Sequence, residues 1–139
     1  KFERAMFAAK DVSGAMASKL PLLNEQTIVC HVPTAFSRQR VRGYDQSRLI
    51  ARHLAKQLGL PYRSLLSRSN NSRQVGSSRG QRFLQAAEAF CLKNIDVNSK
   101  HILIVDDVTT TGATIETIAK LLKKAGAKSV DAIVFAQAE

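Results

Sequence analysis

The chain has 139 residues, of which 45% are hydrophobic and only 6% aromatic, and Trp is absent. That length suits one domain (1–139) with an aliphatic core, and no apolar run approaches the ~20 residues needed to span a bilayer, which excludes helical membrane insertion. The formal net charge of +10, from 21 Lys+Arg against 11 Asp+Glu, calls for an anionic partner such as nucleic acid, a polyphosphate substrate or an acidic protein.

The first residues, KFERAMFAAK, are charged and amphipathic and do not read as a signal peptide. Phe2, Met6, Ala9, Val12, Met16 and Leu20 recur every three or four positions, which predicts a helix over 2–20 that stops before Pro21. TIVCHV, residues 27–32, suits a buried strand. It leads into the very basic segment Ser37 to Gly43, SRQRVRG. A second helix is expected from about Tyr44 to Leu58, with Ile50, Leu54 and Leu58 on one face and Gly59 at its stop. Tyr62 to Leu66 suits a short strand, Ser67 to Gly80 a loop rich in Ser, Asn, Gly and Arg, and Gln81 to Ala89 a short helix.

Ile102 to Val105 is a second buried strand, ending in Asp106 and Asp107. A Thr/Gly turn follows, then a helix from Ile115 to Ala125 with Ile115, Ile118, Leu122 and Ala125 as its stripe. Val130 to Ala136 is the last strand. Strands that alternate with helices predict an α/β fold with a mostly parallel sheet flanked by helices. The two cysteines, Cys30 and Cys91, lie in apolar stretches without metal spacing. They read as buried thiols in a reducing cytoplasm rather than as zinc ligands or a disulfide.

The stretch ILIVDDVTTTGAT, residues 102–114, carries the chemistry. Ligands of open α/β sheets sit at the carboxyl ends of strands, and a helix N-terminus offers unpaired N–H groups to an anion. Thr110, Thr111, Gly112, Ala113 and Thr114 therefore make a phosphate cradle. Asp106 and Asp107 would repel a phosphate, but carboxylates accept hydrogen bonds from vicinal hydroxyls. Together these groups describe a ribose 5-phosphate site. Taken alone, the acid pair would be a solvated strand end and the threonines an ordinary helix cap. Neither a Walker A loop nor a G-x-G-x-x-G fingerprint is present.

This segment resembles the 5-phosphoribosyl-1-pyrophosphate (PRPP) signature of type I phosphoribosyltransferases, with Thr109 at a usually aliphatic position. VRGYDQSRLIARHLAKQLGLP (41–61) is similar to the R-G-[FY]-[ND]-Q helix of the ComF/GntX proteins, and QVGSSRGQRFLQAAEAF (74–90) to their Q-x-G-x-S-R…F stretch. Where that stretch more often reads R-x-x-N before G-A-F, Gln85 and Ala-Ala-Glu-Ala-Phe stand here. The N-terminal zinc-binding segment of paired cysteines found in many members is absent from this sequence, as expected of a truncated chain or of a member without it.

The resemblance implies that Asp106 and Asp107 hold the ribose hydroxyls, and Mg²⁺ through water. It places a pyrophosphate loop after the first strand, with Thr34 and Ala35 presenting N–H groups and Arg38, Arg40 and Arg42 facing the leaving pyrophosphate. It also implies a flexible loop that closes over PRPP, with Arg79 and Arg82 as its basic contacts. The bland alternative for these arginines is a solvated basic loop.

Two functions follow from the resemblance. One is a ComF-like cytoplasmic competence protein that contacts single-stranded DNA beside the uptake machinery and its helicase. The other is an active transferase that moves ribose 5-phosphate from PRPP to a nitrogen acceptor, in salvage or in a GntX-like metabolic role. No catalytic nucleophile or base is assigned, because the family's chemistry rests on positioning and electrostatics.

Overall fold

The computed structural model describes residues 2–69 and 89–138. Helix α1 (Phe2–Ala17) is followed by strand β1 (Thr27–His31), helix α2 (Phe36–Arg42) and helix α3 (Gln46–Leu58). The short strands β2 (Leu66–Arg68) and β3 (Phe90–Leu92) come next, then β4 (His101–Thr109), helix α4 (Ala113–Lys124) and β5 (Ser129–Gln137). Among the described residues no helix is long and apolar enough to cross a membrane.

The central sheet is parallel, in the order β1-β4-β5, and β2 pairs antiparallel with β3 beside it. Strand β4 is apolar on both faces, and the period of two divides its side chains between two cores. Ile102 and Ile104 pack with Ile118 and Leu122 of α4 and with Leu65, Leu66 and Phe90. Leu103 and Val105 pack with Ala9 and Met16 of α1 and with Ile50, Ala51 and Leu54 of α3. Helices thus cover both faces of the sheet, as the alternating elements predict. Each fully buried Leu or Ile contributes about 1.5–3 kcal/mol, which makes the middle of β4 the firmest place to mount a site.

Several boundaries differ from the sequence expectation. Helix α1 ends at Ala17, because Lys19 and Leu20 donate to carbonyls only three residues back and tighten the chain ahead of Pro21. Helix α3 starts at Gln46, because the Asp45 side chain accepts the Arg48 N–H and acts as its N-cap. The segment 37–43, read as a loop, is mostly helix: 36–42 holds no breaker, and Gly43, at φ +81°, ends it. Tyr62 makes only a single parallel bridge to Val29, and the strand proper is β2, starting at Leu66. The helix read over Gln81 to Ala89 and the loop read over Ser67 to Gly80 fall largely outside the described residues.

The two thiols part company. Cys30 is buried, and desolvation pushes its pKa up to about 12. Cys91 is exposed, because β3 turns Phe90 into the core and its next residue outward. The expectation of two buried cysteines holds for Cys30 alone.

Candidate functional site

A cleft of ≈ 430 Å³ opens at the carboxyl end of the sheet, between the β1–α2 connection and the β4–α4 turn. Its lining includes Thr34, Ala35, Arg38 and Arg42 from one side and Asp106, Asp107 and residues 109–114 from the other. Of the residues singled out from the sequence, the structure thus brings eleven into one cleft. Arg40 is exposed and is not part of the lining. On a helix, positions 38 and 42 lie one above the other, and 40 falls on the opposite side. Arg79 and Arg82 lie outside the described residues.

The acid wall is built into the strand rather than hung after it. Strand β4 continues past Val105 to Thr109, because β5 pairs with it as far as Gln137. Asp106 is buried, with 8% of its surface exposed, and Asp107 is partly exposed. The Ser47 hydroxyl of α3 lies 2.9 Å from Asp106 Oδ1 and 3.1 Å from Asp107 Oδ1. Its single proton serves one of the two carboxylates at a time. The Asp107 N–H donates to Asp106 Oδ1 (3.0 Å), and the Val108 N–H to Asp107 Oδ1 (3.0 Å). Burial raises the Asp106 carboxyl to about 6, Ser47 opposes the shift, and the neighbouring Asp107 charge adds to it.

The turn that follows is compact. Gly112 sits at φ +76°, as the N-cap of α4, in the left-handed region that suits glycine. Its N–H donates to Thr109 Oγ1 at 3.1 Å. Thr109, the departure from the usual aliphatic residue, therefore braces the turn with its hydroxyl.

The opposite wall carries positive charge. Arg42 Nη1 lies 3.6 Å from Asp107 Oδ2, across the cleft. Arg68 at the end of β2 joins the lining. Its Nε donates to the Pro33 carbonyl (2.8 Å), and its guanidinium lies 4.8 Å from the Phe90 ring centroid. Burial and the Arg38 charge lower its pKa, while Asp106 and Asp45 favour the charged form.

The Thr34 N–H, expected to face a ligand, is donated instead to Asp45 Oδ2 at 3.0 Å, and the Thr34 hydroxyl to Asp45 Oδ1 at 2.9 Å. Beneath this pair His31 approaches Asp45 at 3.7 Å and shares a 2.9 Å hydrogen bond with the Tyr62 hydroxyl. Burial lowers the His31 pKa to about 4. The imidazole is therefore neutral at neutral pH, and its contact with Asp45 is not an ion pair.

Arg68, Ser47 and Asp45 were missed from the sequence. Arg68 and Ser47 reach the site through tertiary packing that leaves no local pattern. Asp45 does carry a signal, an N-cap residue ahead of a helix, but nothing local shows its contact with Thr34.

Residues 45–139 match the phosphoribosyl transferase domain family. The chain is 31% identical over 130 residues to competence protein ComFC of Streptococcus pneumoniae, covering 94% of this chain and 56% of that protein. It is 35% identical over 109 residues to the DNA utilization protein YhgH of Salmonella typhi, covering 73% and 45%. The chain thus spans about half the length of the curated relatives it matches. Among solved structures, the allosteric regulatory enzyme of purine biosynthesis superposes with a TM-score of 0.67 at 22% identity, over 92% of this chain and 25% of that one. The glutamine PRPP amidotransferase of B. subtilis does so with a TM-score of 0.63 at 20% identity, over 91% and 26%. At these identities the structural likeness shows the fold.

Proposed function

The chain belongs to the phosphoribosyl transferase domain family, and from that premise we propose that it is a ComF-like competence protein whose cleft binds PRPP. Its role is in the uptake and processing of single-stranded DNA during natural transformation, in the cytoplasm beside the uptake machinery and its helicase. The observation that carries the reading is the meeting, in one cleft, of an acid pair, a glycine-opened helix N-terminus and Arg38, Arg42 and Arg68. Those are partners for the ribose hydroxyls, the 5-phosphate and the pyrophosphate, in that order. The competence role rests on the likeness to ComFC and YhgH, and the net charge of +10 suits contact with DNA phosphates.

PRPP carries enough negative charge to call for a divalent cation. Among the described residues no group of three or more His, Cys, Asp or Glu forms a metal cage. The two carboxylates are hard oxygen donors that suit Mg²⁺ held through water and ligand oxygens. Bound there, Mg²⁺ would offset the pyrophosphate charge. The chain's own residues hold the ribose between Asp106 and Asp107, seat the 5-phosphate on the 110–114 turn and draw the pyrophosphate towards Arg38 and Arg42.

A second reading, transfer of ribose 5-phosphate to a nitrogen acceptor, is favoured by the presence of all these partners in one cleft. The test is calorimetric titration of Mg²⁺ and PRPP into the protein and into an Asp106→Ala/Asp107→Ala variant. Saturable binding lost in the variant supports the site, and a wild type that does not bind sinks it. Pyrophosphate release with a panel of nitrogen bases then decides for or against turnover. Binding of single-stranded DNA that falls steeply with salt is expected of the competence role, and absence of DNA binding at low salt counts against direct contact.

A further inference from the structure

We infer that Asp45 and Thr34 form a clamp that positions helix α2, and with it Arg38 and Arg42, for the pyrophosphate end of the ligand. This deepens the PRPP reading and rests on it. Helix α2 has no buried residue. Phe36 and Val41 are exposed, at 52% and 81%, so the helix lacks the packed apolar face that ordinarily holds one in place. What fixes it lies at its ends. Thr34, two residues before its start, gives both its amide and its hydroxyl to Asp45, three residues past its end. The segment 34–45 is therefore a closed loop pinned at its base.

Asp45 is itself held, because it caps α3 through the Arg48 N–H at 3.1 Å, and α3 packs its Ile50, Ala51 and Leu54 into the core. The carboxylate is largely shielded, with 9% of the side chain exposed, so its hydrogen bonds face little competition from water. Through this chain of contacts the core sets the position of two arginines that are not themselves buried. Asp45 touches no ligand in this scheme and acts as a positioning residue. Thr34 lines the cleft, but its N–H and its hydroxyl proton are spent on the clamp.

The test is Asp45→Asn. Asparagine caps helices about as well as aspartate, so α3 should persist. One acceptor oxygen is replaced by an NH₂ group, which cannot accept the Thr34 N–H. Affinity for Mg²⁺ and PRPP should fall about tenfold, the scale of one charge-assisted hydrogen bond. Affinity for ribose 5-phosphate, which has no pyrophosphate, should change by less than about twofold. Hydrogen exchange followed by mass spectrometry should show faster exchange over 34–42 in the variant, with 46–58 unchanged.

Equal losses for both ligands would make Asp45 a merely structural residue and overturn the inference. So would unchanged exchange over 34–42, or faster exchange with unaltered PRPP binding. Failure of the wild type to bind PRPP would be a different result: it removes the functional reading and the pyrophosphate role with it, whatever the exchange data show.

Discussion

The two walls of the cleft are held by opposite means. The acid wall belongs to β4, whose Ile102 to Val105 are wholly buried and whose pairing runs on past the acids. The basic wall is a seven-residue helix without a buried side chain, fastened at its base. On the proposed reading, a ribose needs hydroxyl partners at fixed positions, and strand register would supply them. A pyrophosphate is larger and more highly charged, and on the same reading it would meet the arginine forks of the tethered helix. The comparison teaches that the two halves of one cleft can be held by burial on one side and by a tether on the other, each with its own sensitivity to mutation.

The largest effect should come from the rigid half. Asp106→Ala/Asp107→Ala removes every carboxylate on that wall, and binding of both PRPP and ribose 5-phosphate should fall by about 100-fold or more in calorimetry. If only PRPP suffers, the acids serve the pyrophosphate and the division of labour is reversed.

Next comes a pH effect that belongs to the same wall. The Asp106 carboxyl is raised by burial to about 6 from 3.8, so the fold holds this proton more tightly than the unfolded chain does. Its contribution to stability is complete below about pH 4 and is lost as the pH rises through about 6, on the order of 3 kcal/mol in all. Asp106→Asn should remove that loss, so its advantage over the wild type in urea melts should grow between pH 4 and pH 8. A constant difference would mean that the carboxyl is not perturbed.

The tethered half should show a smaller and more selective effect. Arg42→Ala should weaken PRPP about tenfold and leave ribose 5-phosphate nearly untouched. Arg40→Ala, outside the cleft, should change PRPP binding by less than about twofold. A loss at Arg40 equal to that at Arg42 would show that the cluster acts through bulk charge rather than through placement. Gly112→Ala should act on stability, and only modestly. A Cβ there meets no atom within 4 Å, so only the left-handed backbone resists it, by about 1 kcal/mol in denaturant melts.

The rigid half was also the legible half. ILIVDDVTTTGAT keeps its strand, acids, turn and helix start within thirteen residues, so local chemistry reveals both the element and its use. Even there the strand's true end at Thr109 was hidden, because it depends on pairing with Val134 to Gln137, far along the chain. The tethered half was legible only as charge. That Arg38 and Arg42 face the cleft while Arg40 does not follows once 36–42 is helical, and no apolar stripe announces that helix. Arg68 is set beside the cleft by the β2–β3 pairing, and Ser47 reaches the acids from α3 across about sixty positions. Neither contact has a sequence period.

The 3.6 Å approach of Arg42 to Asp107 makes the two walls each other's competitor. An incoming anion that recruits Arg42 strips Asp107 of its counter-charge, and a cation drawn to Asp107 does the same to Arg42. A lone phosphate or a lone metal ion therefore gains one contact and forfeits another. A molecule that brings hydroxyls or a cation to one wall and phosphate to the other replaces both halves of the pair at once. On the proposed reading such a ligand is favoured over partial mimics, by a margin that for so exposed a pair stays within about 1 kcal/mol.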